Sequence, residues 1–177
     1  MKKGDVWISA ILYFGLGIVV ITIILVAGLP VINKLRDKNI IIQTKEVMHA
    51  VDQNIREVIK EGPGSQRVVS LNIKKGSISV ADNKVIWEYK GSKIPISEPN
   101  EINKCDASNP IIVGEGKLNI KTCKAAVEKT YDIKIYSSYS EATLQSGITT
   151  LQGLSDLVIR NDGASNNKIQ VSINEAK

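Results

Sequence analysis

The chain has 177 residues, 43% of them hydrophobic, a length that suits one globular domain besides a terminal helix. Its net charge of +5 is spread along the chain, with acids interleaved as in Lys34-Leu35-Arg36-Asp37-Lys38, so nucleic-acid binding is not indicated. It has one histidine, and no acid or nucleophile is spaced to serve it, so we expect no enzyme active site, metal site or cofactor.

The first element along the chain is a long apolar helix. A short charged leader, Met1 to Asp5, precedes an uncharged run from Val6 to Asn33. A helix that crosses a bilayer needs about 20 mostly apolar residues, and Val6–Leu29 supplies them. A cleaved signal peptide is the alternative, but its apolar region is shorter, about 7–15 residues. The run therefore predicts a single-pass membrane span.

Two residues near the end of this run disturb helical geometry. Pro30 lacks an N–H and its ring clashes with the preceding turn, and Gly28 loosens the same turn. Proline is compatible with one kinked helix and with two separate helices, so both interpretations stay open.

An amphipathic pattern follows and predicts that the helix continues. Apolar residues recur at spacings of three and four, which is typical of a packing face, and charged residues fall elsewhere. We expect a helix over residues 5–61, divided into a membrane or filament-core part (5–30) and an amphipathic part (31–61), and ended by Gly62-Pro63-Gly64. The seam covers the protein's own head, other subunits, or both. It consists of Ile41, Met48, Val51, Ile55 and Val58.

The remainder of the chain, residues 65–177, has β patterns. Short alternating segments separated by Gly, Pro and Asn predict an antiparallel sheet or a β-sandwich, so the fold class is α+β. Asp82-Asn83 is expected to form a hairpin turn, and Asn161-Asp162-Gly163 a turn-rich loop. We interpret Tyr139–Ser155 as a loop with at most one strand. The expected strands include residues 69–73, 78–80, 85–89, 111–113, 117–121, 131–137, 157–160 and 168–173.

Both cysteines of the chain, Cys105 and Cys123, fall in the expected head. A head outside the membrane lies in an oxidising compartment, where such a pair forms a disulfide. The alternative is two reduced thiols. We favour the disulfide, which would stabilise the head by roughly 3 kcal/mol on the chain-entropy estimate.

The N-terminus resembles a known family. Lys2-Lys3-Gly4-Asp5 followed directly by the apolar run looks like the leader of type IV pilins, especially of the archaeal pilins and archaellins. In that family a prepilin peptidase cuts after the glycine. The resemblance covers residues 1–61 and implies that residues 1–4 are a leader and that Asp5 becomes the mature N-terminus.

The resemblance also implies an assembly process. A pilus assembly machinery moves the apolar helix from membrane lipid into a filament core, where identical subunits form a helical homopolymer. Bacterial type IV pilins usually carry Glu as the fifth mature residue, where this chain has Ser9, so the archaeal branch is favoured. The residues expected in the filament core are Ile8, Leu12, Leu16, Val19, Ile23 and Val26.

The sequence therefore predicts a structural subunit of an extracellular type IV pilus-like filament, held as a single-pass membrane protein before assembly and exposed at the cell surface afterwards. The alternative is a membrane-anchored β module that binds a partner at the cell surface and never polymerises. Such an anchor needs neither a leader cut nor a helical extension beyond the span. Whether the filament serves adhesion, motility or DNA uptake stays open.

Overall fold

The computed structural model describes residues 3–97, 99, 118–125, 127 and 129–176, with side-chain environments from Trp7 onward. The chain divides into two compact units, Met1–Arg36 and Asp37–Lys177. The described residues of the first unit are all helical. The second unit, which we call the head, contains the rest of the helix and the strands of the described residues.

One helix, α1, runs from Lys3 to Glu61. Pro30 lies inside it, so α1 is not divided into two helices there. Within the apolar part, the Thr22 hydroxyl donates to the Ile18 carbonyl at 2.8 Å, which satisfies a polar side chain without water. Gly62, with a φ of 94°, ends the helix in the left-handed conformation that glycine adopts at C-termini.

Within the described residues, seven strands follow α1 and form one sheet in the order β3-β4-β2-β1-β6-β7-β5. All neighbouring strands are antiparallel except β5 and β7, which are parallel. The sheet is therefore mixed, and the expectation of a purely antiparallel sheet is wrong at this edge. A sandwich of two sheets is not confirmed. The strands are β1 (Gln66–Ala81), β2 (Lys84–Ser92), β3 (Leu118–Lys124), β4 (Tyr131–Ser138), β5 (Ala142–Ser146), β6 (Leu151–Ser165) and β7 (Lys168–Glu175).

The hairpin between β1 and β2 confirms the turn predicted at Asp82-Asn83. Both residues have positive φ, 50° and 61°, and Val80 pairs with Val85 across the turn. Positive φ at both central positions is the requirement of the tight hairpin turn, and Asp and Asn tolerate it.

Two predictions for the second half of the head are wrong. Asn161-Asp162-Gly163 is not a loop, because it lies inside β6 at a register shift opposite β7. The turn between β6 and β7 is instead Asn166-Asn167, with φ of 52° and 61°. The segment from Tyr139 to Ser155 contains β5 and the start of β6, which is more strand than we expected. The strand expected at residues 111–113 lies outside the described residues.

The core of the head lies between α1 and one face of the sheet. Buried and less buried residues alternate along the strands, as in β4, where Ile133 and Ile135 are fully buried. Trp87 of β2 is also fully buried. Along α1 the buried apolar residues recur at helical spacing, so that a single stripe of the helix faces the sheet.

Candidate functional site

The most unusual surface of the protein is the first part of α1. Every large apolar side chain from Trp7 to Leu35 is exposed, by 46–75%. They occupy all sides of the helix rather than one stripe. We call residues 7–35 the apolar helix surface. A soluble monomer rarely exposes a contiguous apolar patch larger than a few hundred Å², and larger ones indicate contact with lipid or protein.

This surface has the length and composition of a membrane span. Of the described residues, one helix passes both criteria, and it lies near the N-terminus. A signal sequence near an N-terminus meets the same length and composition criteria. None of its most apolar window is buried within the protein.

The residues expected in a filament core lie on this surface. All six are more than half exposed: Ile8, Leu12, Leu16, Val19, Ile23 and Val26. They follow one another at three- and four-residue steps and so share one face of α1. Their side chains are free to contact lipid or other helices.

The small residues of the apolar helix surface leave room for close approach. A Cβ added at Gly15, Gly17 or Gly28 would meet nothing within 4 Å. Small residues allow neighbouring helices in lipid to approach closely. Pro30, expected at a kink, continues the helix with Gly28 two residues before it.

The expected processing site lies at the start of α1. Lys2 is outside the described residues, and Lys3, Gly4 and Asp5 are the first residues of the helix. Its role in leader processing stays a prediction.

The amphipathic seam lies in the core of the head. Met48, Val51, Ile55 and Val58 are fully buried and Ile41 is 3% exposed, all in one cluster with the sheet residues. The seam therefore packs against the protein's own sheet, the first of the two roles that the sequence left open. Its buried side chains offer no surface to another subunit.

A buried carboxylate fixes the point where the head begins. Asp37, 3% exposed, accepts hydrogen bonds from the Tyr89 hydroxyl at 2.9 Å, the Lys93 backbone N–H at 2.8 Å and the Lys75 ammonium at 3.3 Å. Burial alone would raise the pKa of Asp37, but these hydrogen bonds and the Lys75 charge outweigh it and lower that pKa. The carboxylate therefore stays ionised and holds α1 to β1 and β2.

A second polar network lies further along α1. Asp52, 1% exposed, accepts hydrogen bonds from Arg56 at 2.9 Å and from the Tyr139 hydroxyl at 2.8 Å. The Arg56 guanidinium also lies over the Tyr139 ring, 5.2 Å from its centroid. Burial and the Asp52 charge raise the pKa of Tyr139, so its hydroxyl remains a donor. This network joins α1 to Tyr139, the residue that follows β4.

The C-terminal end of α1 is held by hydrogen bonds to the Val58 carbonyl. The Ser65 hydroxyl and the Asn161 side chain both donate to the Val58 carbonyl, at 2.9 and 3.1 Å. Since the last carbonyls of a helix have no partner within it, these donors satisfy a group that would otherwise be buried unpaired.

These anchors were not predicted from the sequence. Asp37 and Asp52 read as solvated charges between lysines and apolar residues, and only their distant partners on the sheet reveal their role. The one local signal is the four-residue spacing of Asp52 and Arg56, which suits an ion pair on one helix face.

Among the described residues, no group of three or more His, Cys, Asp or Glu side chains is placed to hold a metal ion. Cys123 is 2% exposed on β3, whereas Cys105 lies outside the described residues, so their disulfide stays a prediction.

Comparison with known proteins assigns no family. No family model, no curated protein and no solved structure matches the chain.

Proposed function

We propose that the protein is the structural subunit of an extracellular, type IV pilus-like filament. It is stored in the membrane through the apolar helix surface and polymerises through that same surface. The observation that carries this proposal is the contrast between the two parts of α1. From Ile41 to Val58 the apolar stripe is buried by the protein's own sheet, and from Trp7 to Leu35 the apolar side chains are covered by nothing.

The magnitude of this uncovered surface requires an apolar environment. Fully burying one Val, Leu, Ile or Phe side chain stabilises by about 1.5–3 kcal/mol. The apolar helix surface carries 19 large apolar residues that are each about half exposed or more. Membrane lipid covers them before assembly. In a filament, the equivalent helices of identical subunits replace lipid and cover them again.

The leader residues support this proposal over a permanent anchor. In the type IV pilins that Lys2-Lys3-Gly4 resembles, removal of the leader by a prepilin peptidase precedes assembly. The protein would then begin at Asp5 with its span retained. A membrane-anchored surface module that never polymerises is the second candidate, and the same exposed helix supports it. The two differ in whether helices of other subunits ever contact the apolar helix surface.

The substitution Val19→Asp tests the proposal at the middle of the apolar helix surface. An ionised side chain at the centre of a span costs about 2.5–3.5 kcal/mol on the insertion scale, and in a filament that cost recurs in every subunit. We expect Val19→Asp to abolish filaments seen by negative-stain electron microscopy of cells. Val19→Leu keeps an apolar side chain at the same position and is the matched control, which should assemble.

Lys45→Gln changes a charge on the head part of α1 instead and should also leave filaments intact. Immunoblots of membranes check that each variant is made, inserted and cut to the same mature mass. If wild-type surface material with a mature N-terminus at Asp5 contains only detergent-soluble monomers, polymerisation is refuted and the anchor remains. A wild-type chain that begins at Met1 or after Gly28 contradicts the pilin-like processing.

A further inference from the structure

A basic groove lies on the head, beside the residue at which the head begins. It has a volume of about 740 Å³, and its floor is formed where β1 departs from regular pairing. β1 pairs with β6 at Ile73 and again at Ile78, and the four residues between them form a bulge that does not pair with β6. Three lysines, Lys74, Lys75 and Lys90, line the groove against one acid, Glu88.

The bulge is held in a defined shape by contacts with β2. The Trp87 indole N–H donates to the Lys75 carbonyl at 3.0 Å. Gly76 has a φ of 76° and lies so close to β2 that an added Cβ would come within 2.5 Å of the Glu88 carbonyl oxygen. Lys75 is in turn held by Asp37 and Tyr89. These contacts fix the backbone that presents Lys74 at the surface.

The positive charge of the groove is incompletely neutralised. Within the described part of the chain, Lys74 has no ion-pair or hydrogen-bond partner. Lys90 is 73% exposed and lies 3.8 Å from Glu88, which it shares with Lys134 at 3.5 Å. Exposed pairs of this length contribute little, so both Lys74 and Lys90 remain able to bind an anion.

The groove is close to the apolar run along the chain. Asp37, which accepts a hydrogen bond from Lys75, follows Leu29 at the end of the apolar run by eight residues. Eight residues span at most about 28 Å, so a bilayer that holds the apolar run keeps the head tethered near its headgroups. Tethering of this kind gives the lysines of the head a high effective concentration at an anionic lipid surface.

We propose that the groove of Lys74, Lys75 and Lys90 binds the phosphodiester of anionic lipid headgroups while the subunit is stored in the membrane. The inference rests on the membrane-stored state of the proposed function and adds a ligand class to it. Lys74 and Lys90 supply charge to the phosphate oxygens, and the fixed bulge sets their separation. Extraction into a filament would then require the head to leave the headgroups.

The test uses the full chain in lipid nanodiscs. One set contains only zwitterionic phosphatidylcholine, and the other contains a graded fraction of phosphatidylglycerol. Backbone amide exchange is measured by mass spectrometry over residues 73–77 and 88–93. We expect exchange of these segments to slow as the phosphatidylglycerol fraction rises, with exchange of β7 unchanged.

Two double variants locate the effect. Each lysine near an anionic surface raises the binding constant for that surface by about fivefold. K74Q/K90Q should therefore need a much larger phosphatidylglycerol fraction for half-maximal protection from exchange. K124Q/K168Q removes the same charge from exposed positions on β3 and β7 and should behave as wild type. Equal protection in both lipids overturns the proposal. Protection that survives in K74Q/K90Q overturns the assigned site.

Glycerol phosphate added to phosphatidylcholine nanodiscs distinguishes the source of the phosphate. If it protects the same segments as well as phosphatidylglycerol does, the site serves a free phosphate ester and the lipid proposal is wrong. Amide exchange in nanodiscs needs no filament. A loss of filaments and a loss of lipid binding are therefore separate results, and each bears on its own proposal.

Discussion

The packing of α1 against the sheet can be tested by making one substitution at two positions of the same helix. Ile55 is fully buried in the core of the head, whereas Ile42 is 46% exposed. Replacing a buried Ile by Ala removes transfer free energy and leaves a cavity, at a cost of about 2–5 kcal/mol. Alanine's higher helix propensity returns a few tenths of a kcal/mol at both positions.

The two positions should therefore differ clearly in the free energy of unfolding of the head. We expect Ile55→Ala to cost about 3 kcal/mol, and Ile42→Ala to cost less than about 1 kcal/mol, since half of its surface is already in water. A head of this size has a total stability of roughly 7–20 kcal/mol, so the larger loss lies well within measurement.

The assay is guanidinium unfolding of the full chain in nonionic detergent, followed by tryptophan fluorescence. The chain has two tryptophans, and Trp7 lies on the apolar helix surface, so all variants carry Trp7→Phe. Trp87 is then the sole reporter, and it is fully buried. Equal midpoints for Ile55→Ala and Ile42→Ala, at unchanged slope, would falsify the packing of the seam against the sheet.

Three further predictions concern the anchors and the head. Because hydrogen bonds lower the pKa of Asp37, its ionised form stabilises the head above the unfolded pKa, near 4, and that contribution is lost as pH falls through the folded value. Asp37→Asn should cost about 1.5–3 kcal/mol of unfolding free energy at pH 7, and the cost should fall as the pH is lowered below the unfolded pKa. An equal cost at pH 7 and at low pH, measured by chemical unfolding, would contradict this role. Gly76→Ala and Gly91→Ala both place a side chain at positive φ, but only the Cβ of Gly76→Ala meets the backbone of β2. Gly76→Ala should therefore lower the midpoint of chemical unfolding more than Gly91→Ala, and equal midpoints would refute the close approach of Gly76 to β2. Thiol labelling of denatured, unreduced surface material should find Cys105 and Cys123 oxidised, and two labelled thiols would exclude the disulfide.

Features that depend on periodicity and local turn chemistry were predicted correctly. The seam of α1 follows from three- and four-residue spacing, and the Asp82-Asn83 turn follows from the tolerance of these residues for positive φ. The same reasoning gave a wrong prediction at Asn161, which lies inside β6 and not in a turn. Its side chain donates to the Val58 carbonyl and accepts from the Gly163 N–H, so it stabilises a bulge within β6 rather than a chain reversal.

The features that were not predicted depend on pairing between residues that are distant in the sequence. β5 is a short strand that pairs with β7 in parallel, and nothing in Ala142–Ser146 identifies that partner. Asn83 accepts a hydrogen bond from the Leu144 N–H at 2.6 Å and donates to the Tyr139 and Ala142 carbonyls. Asn83 was predicted as a turn residue, but its side-chain hydrogen bonds to Ala142 and Leu144 of β5 are evident only in the structure. The roles of Asp37 and Asp52 were missed for the same reason, because their hydrogen-bond partners Tyr89 and Tyr139 lie far along the chain.

The strand order has a consequence for the time course of synthesis. β1 lies in the middle of the sheet and pairs on one side with β6, so that Gln66 faces Arg160. Contacts so distant in sequence form slowly, because a long loop must close before they stabilise anything. Until the C-terminal strands emerge, the seam of α1 lacks its cover and the Val58 carbonyl lacks Asn161. The apolar run is synthesised first and can enter a bilayer without waiting for the head. Under the proposed function, a nascent chain is thus tethered to the membrane while its head is still unfolded.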